Sequence, residues 1–583
     1  MKIRLAKSSG FCMGVRRAVE LALEAVHSRQ GPIFSYGPLI HNPQAMALLE
    51  SRGLTALEGD PENLAGIEQG TIILRAHGVP PRVYEELERL GLEVIDATCP
   101  RVVRVQAIIR AHAAEGYMPI IWGNPDHPEV MGLLGHADKE GRVISGPEEV
   151  SGLPAAAKVI LVAQTTQNIN SYPEVAAAVR SRWPEAMVFN TICDSTKRRQ
   201  DDVRRLAREV EAMVVVGGHA SANTKRLAAA AEAEGVKTIH VETEEELDRD
   251  WLAGMSTVGV TAGASTPNWM IKRVIRAIER LDRRSGVSLH SFARRLLRVL
   301  VLSNLYTAVG SGLLCLAGAM LQGMSPRTEY FGVTFFYVYA MHVLNLFLDK
   351  EASQYNDPDR VVFLEKYKVF LLGSGVLSAL VSLGLAFTLS IKVLLLLAVM
   401  STLGLLYAVP LVPKSWAARI KFRRLKDIPS SKTVSLSGGW AFCLALAPAL
   451  SPEGRLQWST VLVLAVICLL VFIRSALGDI IEIQGDRIVG RETIPILIGE
   501  KKTLHLLRLA TGLLAAALFL GWWSGLFPSL ALVLLVCAAY AFFYVILFQQ
   551  ERIMGSGLQE ALIDANFILA GVASWVWLVF HGT

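Results

Sequence analysis

Along the first half of the chain, up to about residue 285, short Val/Ile/Leu-rich runs alternate with amphipathic stretches whose apolar positions recur at helical spacing. That alternation predicts a soluble α/β domain. Beyond the basic stretch Arg283, Arg284, Arg294, Arg295 and Arg298 the pattern changes. Charges nearly vanish for blocks of about 18 to 25 residues, the length a helix needs to cross a bilayer core. About nine such spans are expected, at 299–322, 331–348, 369–390, 393–413, 434–450, 458–477, 504–527, 529–548 and 561–580. The chain is expected to divide into an α/β domain at 1–282, a basic linker at 283–298 and an all-α polytopic membrane domain at 299–583.

Basic residues fall in alternate connections of the second half. They are the linker, the loop with Lys350, Arg360, Lys366 and Lys368, the loop with Lys414, Arg419, Lys421, Arg423, Arg424, Lys426 and Lys432, and the loop with Arg487, Arg491, Lys501 and Lys502. The positive-inside rule puts these loops and the first half in the cytoplasm of a multi-pass inner (cell) membrane protein, and an odd number of spans puts the C-terminus outside. Met1 to Glu20 lacks the apolar core and cleavage site of a signal peptide, so thiols of the first half are expected to stay reduced.

Composition agrees with this division. Of 583 residues 52% are hydrophobic and 19% charged, against about 25% charged in ordinary soluble proteins. The mean hydropathy is +0.39. The net charge of +6, from 58 basic and 52 acidic residues, is too small and too dispersed for a nucleic-acid surface.

Seven cysteines divide between the halves. Cys315, Cys443, Cys468 and Cys537 fall inside expected spans, where cysteine packs as a small apolar residue. Cys12, Cys99 and Cys193 recur at an interval near 90 residues, in IRLAKSSGFCMGVRRAVELAL, LEVIDATCPRVVRVQAIIR and MVFNTICDSTKRRQDDVRRLA. Each lies between an expected strand and an expected helix, which suggests three related α/β units. A cysteine that opens a helix faces the positive end of the dipole, and nearby Arg or Lys favours the thiolate further. Three such thiolates suit a zinc ion, a redox disulfide with one spare, or a cubane iron–sulfur cluster with one iron left open, and the spacing alone fits three unrelated buried cysteines equally well.

Polar residues gather in turn-rich segments of the same half: His41 in GPLIHNPQ, His77 in LRAHGVP, His127 and Glu129 in GNPDHPEVMG, and Thr165 and Thr166 in AQTTQN. Ser221 and Asn223 follow in GGHASANTKRL, and Ser265 in VTAGASTP. Imidazoles, hydroxyls and an amide at strand-to-loop junctions are donors suited to a diphosphate. His27, His112, His136, His219 and His240 read as surface or core residues. Together GFCMGVRRAVE, the H-N-P and R-A-H-G-V segments, DATCP, HPEV, QTT, ICDSTKRRQ, SANTKRL and VTAGAS closely resemble the 4-hydroxy-3-methylbut-2-enyl diphosphate reductases, the LytB/IspH family. The resemblance covers nearly all of residues 1–282. It implies a [4Fe-4S] cluster on Cys12, Cys99 and Cys193 at the centre of three similar α/β units. It also implies a diphosphate held by His41, His77, Ser221, Asn223 and Ser265 with His127 beside them, protons from Glu129, and Thr165 on the substrate hydroxyl. The reaction implied is reductive dehydroxylation to isopentenyl and dimethylallyl diphosphate, with electrons from a donor such as ferredoxin or flavodoxin. Ala222 stands where the family commonly has a second serine, and Thr224 is the expected substitute donor.

In the second half two cytoplasmic loops concentrate carboxylates beside apolar spans. HVLNLFLDKEASQYNDPDRVVFLEKYK carries Asn345, Asp349, Glu351, Asn356, Asp357 and Asp359, and RSALGDIIEIQGDRIVGRETIPILIGEKK carries Asp479, Glu482 and Asp486. On a helix the latter three share one face, and clustered oxygen ligands suit Mg²⁺ bridging to phosphates. This motif, the following GDR…GR.T.P..IG pattern and the Tyr407…Lys414…RLKDIPSSK loop resemble UbiA-type intramembrane prenyltransferases over roughly 290–583. The resemblance implies Mg²⁺ on Asn345, Asp349, Asp479, Glu482 and Asp486, with Lys421, Lys426 and Arg487 balancing a prenyl diphosphate. Leu346 and Ser353 replace two aspartates of the family's first motif. The expectation is a bifunctional isoprenoid enzyme whose partners are isoprenoid diphosphates, an electron donor and membrane lipid. The alternative is a reductase on a non-catalytic anchor or lipid-binding module, and a further alternative makes the first half a redox sensor.

Overall fold

The computed structural model describes residues 1–29, 31–57, 59, 67, 69–137, 140–282, 289–348, 356–408, 425–489, 491–549 and 556–581. The chain forms two compact units, Met1–Gly286 and Val287–Thr583.

Among the described residues the first unit is built on three four-stranded parallel sheets. One joins β1 (Lys2–Leu5), β12 (Thr257–Ala262), β10 (Ala212–Val216) and β11 (Lys237–Val241), in that order. The second runs β3 (Leu54–Leu57), β2 (Ile33–Tyr36), β4 (Thr71–Leu74), β5 (Glu93–Asp96), and the third β7 (Arg142–Ile144), β6 (Met118–Trp122), β8 (Val159–Ala163), β9 (Met187–Val188). The central strands β4, β6, β8 and β10 are buried along their whole length, as continuous apolar runs covered on both faces must be. The strands that lead to the three cysteines, β1, β5 and β9, are partly exposed and occupy sheet edges. β1 pairs with β12 in register Lys2↔Thr257 to Leu5↔Val260, so the first unit closes by joining its two ends.

The second unit is helical. Among the described residues a helix overlies each expected span. Among the described residues six helices are long and apolar enough to cross a membrane, or seven if a pair bent by 75° counts as one span. That pair corrects the first expected span. Leu289–Leu302 ends at Ser303, and Asn304, with φ of 60°, turns the chain before Leu305–Leu321 begins. The helix from Trp458 runs through to Ile488, beyond the expected end at 477, and carries the second acidic motif on its last turns. Apolar side chains such as Val369, Phe387, Trp523, Trp575 and Phe580 remain exposed on these helices, a lipid-facing pattern that places the unit as a multi-pass membrane domain.

Candidate active sites

In the first unit the three cysteines are equivalent by construction. Each is the N-cap of the helix after an edge strand: Cys12 before Met13–Ser28, Cys99 before Pro100–Ala114 and Cys193 before Asp194–Ala207. Each donates its backbone N–H to a carbonyl two residues past the neighbouring strand. Cys12 donates to Ala264 at 3.1 Å, Cys99 to Ala76 at 2.9 Å and Cys193 to Thr165 at 2.9 Å. Contacts between the helix starts close the arrangement. Arg101 pairs with Asp194 at 2.8 Å, and Arg17 donates to the carbonyls of Thr98 and Asp96 at 3.0 and 3.2 Å. A Cβ added at Gly14 would lie 2.5 Å from Cys99 Sγ, so only glycine lets the first helix approach that sulfur. None of the three is in a disulfide. The helix dipole alone does not decide the thiol chemistry: burial pushes Cys99 up, against the amides of Arg101 and Val102 that favour its thiolate.

The same topology assembles the polar pocket, at the C-terminal ends of the two inner strands of each sheet. His77, Thr165 and Ser265 follow β4, β8 and β12, while His41, His127 and Ser221 with Asn223 follow β2, β6 and β10. The rings of His41, His77 and His127 stand 4.6, 5.4 and 5.3 Å apart, and Ser265 Oγ donates to the His41 carbonyl at 3.1 Å. Burial lowers all three imidazoles, His77 well below its usual value and His127 to about 4, with Arg75 adding to each. They are neutral at pH 7. His127 Nδ1 accepts from Glu129 N–H at 3.1 Å, which leaves the ring proton on Nε2 as a donor. His41 Nε2, His77 Nδ1 and Asn223 Nδ2 are buried with no partner. Buried donors without acceptors cost free energy, and an anion in the pocket would satisfy them.

Glu129 is 2% exposed. Its Oε1 accepts Thr165 N–H at 2.6 Å and its Oε2 accepts Thr165 Oγ1–H at 3.0 Å. Burial raises its pKa against those two bonds and the charge of Arg226. Arg226 was not anticipated as a site residue, although it lies in the SANTKRL segment; it reaches Thr166 O at 3.0 Å and Thr166 Oγ1 at 3.1 Å. Thr224 Oγ1 is buried without a partner. His27 and His112 each contact a carbonyl one turn back, of Leu23 at 2.6 Å and Ile108 at 2.8 Å, as structural histidines do.

In the second unit Asp479, Glu482 and Asp486 place ligand oxygens within 4.8 Å of one another. Lys432 enters this cluster. Its Nζ lies 3.0 Å from Asp479, 2.8 Å from Glu482 and 3.8 Å from Asp486, while Arg491 stands 3.8 Å from Asp486. Sequence reasoning placed Lys432 only as one of many loop cations. Leu346, at a replaced aspartate position, packs with Tyr339, Val343, Leu364 and Leu371. Asn345 is exposed, and among the described residues no hydrogen bond or ion pair links it to the carboxylates. Asn356 takes a place beside them instead, accepting Gly485 N–H at 3.0 Å. Arg487 lies on the last helical turn and Lys426 in the Leu425–Asp427 turn. Asp349, Lys421 and Ser353 lie outside the described residues.

The family model for LytB protein matches residues 3–279, and that for the UbiA prenyltransferase family matches 296–554. A 4-hydroxy-3-methylbut-2-enyl diphosphate reductase from Geobacter sulfurreducens is 45% identical over 282 residues, which are 48% of this chain and 98% of that protein. The chain belongs to the LytB family. A reductase of the same name from Opitutus terrae is 41% identical over 290 residues, covering 48% of this chain and all of that protein. The solved structure of (E)-4-hydroxy-3-methyl-but-2-enyl diphosphate reductase, the terminal enzyme of the non-mevalonate pathway, shares 39% identity over 48% of this chain and 100% of that one, with a TM-score of 0.39. This LytB protein is thus an enzyme whose reductase-family unit is followed by a membrane unit that matches the UbiA prenyltransferase model.

Proposed function

We propose that residues 1–282 reduce 4-hydroxy-3-methylbut-2-enyl diphosphate to isopentenyl and dimethylallyl diphosphate, using a [4Fe-4S] cluster held by Cys12, Cys99 and Cys193. The observation that carries this reading is the convergence of three N-cap cysteines beside a pocket of buried, unpartnered imidazole and amide donors. The donor set fits the group: three free thiols from three units, with Gly14 letting the Cys12 helix come up against Cys99 Sγ. When bound, the cluster supplies electrons and Lewis acidity at an iron without a protein ligand.

The protein's own residues do the rest. His41, His77, His127, Ser221, Asn223 and Ser265 hold the diphosphate and orient the allylic alcohol. Glu129, kept toward its protonated form by burial, passes a proton from Oε2 to Thr165 Oγ1, whose own proton goes to the departing oxygen. The C–O bond breaks, two electrons and two protons enter, and water leaves with one of the protons. The electrons come from a ferredoxin or flavodoxin. The domain faces the cytoplasm at the inner membrane, joined through the linker at 283–298 to residues 299–583, where Mg²⁺ on Asp479, Glu482 and Asp486 supports prenyl transfer from a polyprenyl diphosphate. Lys421, Lys426 and Arg487 balance the departing diphosphate, and Asp349 completes the ligand set.

Anaerobic purification, iron and sulfide analysis, and product formation from the hydroxylated C5 diphosphate with a chemical reductant test the first activity. A cluster without turnover defeats it. A second reading of the membrane unit, as a non-catalytic anchor, is favoured by Lys432 occupying the carboxylate cluster. Membranes supplied with labelled prenyl diphosphates, Mg²⁺ and candidate acceptors decide between them. Transfer that is lost in Asp479→Ala/Asp486→Ala rules out the anchor.

A further inference from the structure

Arg199 lies in the second turn of the helix that Cys193 caps and is 5% exposed. Its Nη2 donates to the Gly10 carbonyl at 2.6 Å and its Nη1 to the Ala262 carbonyl at 3.3 Å, while Nε has no partner. Gly10 is two residues before Cys12, and Ala262 ends β12, whose following loop receives the Cys12 N–H. The guanidinium therefore ties together the segments that present Cys12 and Cys193. Among the described residues no carboxylate lies within ion-pair distance of it. Asp202, one turn on, is engaged by Ser8 N–H at 3.1 Å and by Arg205. Burial works against the charge of Arg199, and the groups that favour it are Cys12, Cys193 and Asp202. A buried cation costs several kcal/mol unless an anion compensates it.

We propose that Arg199 is the built-in counter-charge of the iron–sulfur cluster, a positioning residue that stabilises the reduced, more negative form and thereby raises the midpoint potential. The proposal rests on the reading that Cys12, Cys99 and Cys193 hold such a cluster. Reduction adds one negative charge to the site, and a fixed positive charge in a dry surrounding favours that state selectively. The two carbonyl bonds keep the side chain in place without neutralising it.

The test is an EPR-monitored redox titration of the full chain in detergent, reconstituted anaerobically with iron and sulfide, for the parent, Arg199→Gln and Arg199→Lys. Arg199→Gln is expected to lower the reduced-to-oxidised ratio at a fixed potential about ten-fold, equivalent to about 59 mV for one electron. Arg199→Lys is expected to return it to within about two-fold of the parent, because lysine keeps the positive charge. An unmoved potential in Arg199→Gln with full iron and sulfide content overturns the proposal, as does an equal fall in both variants. If the glutamine variant retains no cluster, restoration of iron and sulfide content by lysine supports a role for charge, and equal loss in both overturns it. A parent chain that takes up no cluster removes the functional reading itself, and is told apart by its iron and sulfide content before any titration.

Discussion

Replacing Thr165 by valine removes one hydrogen bond to a buried carboxylate and almost nothing else. The Thr165 N–H to Glu129 Oε1 bond at 2.6 Å survives, because it is made by the backbone, while the Oγ1–H bond to Oε2 at 3.0 Å is lost. Burial already raises Glu129, and the Thr165 bonds and Arg226 hold it down. A hydrogen bond to a charged group is worth about 1.5–3 kcal/mol, so at about 1.4 kcal/mol per unit its loss moves the carboxyl up by about 1–2 pH units. A general acid must be protonated, so activity falls on the basic side as pH rises through its pKa. The basic limb of the kcat/KM profile, measured with a chemical reductant, is therefore expected to move to higher pH by about 1–2 units in Thr165→Val. The amplitude also falls, since Thr165 no longer relays a proton, but the position of the limb is independent of amplitude. A limb that stays in place, or moves to lower pH, refutes Glu129 as the acid.

His127 is depressed to about 4 in the folded state from 6.5. Below pH 6.5 the unfolded chain takes up a proton that the folded one refuses, so about 3 kcal/mol of stability present at neutral pH is lost as pH falls toward 4. His127→Asn keeps an N-cap acceptor for Glu129 N–H and should flatten that loss, read as hydrogen exchange of the Pro128–Leu134 helix at pH 7 and 4.5. Gly14→Ala puts a methyl 2.5 Å from Cys99 Sγ, so the iron-to-protein ratio after reconstitution should fall well below the parent's; full loading would show that the first helix can retreat. Lys432→Met leaves Asp479, Glu482 and Asp486 without their ammonium and should cost about 3–5 kcal/mol. Millimolar Mg²⁺ should restore the melting temperature of that variant, and a melting temperature indifferent to Mg²⁺ would count against a cation site there.

Elements with a local cause were legible along the chain. The three strand–Cys–helix junctions were visible because a strand, a cap and an amphipathic helix each leave a pattern within twenty residues. The acidic face of Asp479, Glu482 and Asp486 followed from helical spacing alone. The bend at Ser303–Asn304 was not legible, because a Ser-Asn pair inside an otherwise apolar stretch also fits a continuous helix. The helix through Ile488 was cut short for the opposite reason, since charges entering a helix end look like a loop.

The amino-acid sequence by itself determined that one half is α/β and the other membrane-spanning, and which side chains are candidates for chemistry. Both depend on residue type and near spacing. Tertiary structure decided what each of those side chains faces. β1 finds β12 across some 250 residues, and only that pairing brings Ala264 to Cys12 and Arg199 beneath it. Leu346, read as a lost ligand, is packed against Leu364 and Leu371, and Lys432, read as a loop cation, sits among three carboxylates. Burial and desolvation lower His77 and raise Glu129 and Cys99, and they arise from atoms distant in the chain that no local pattern can announce.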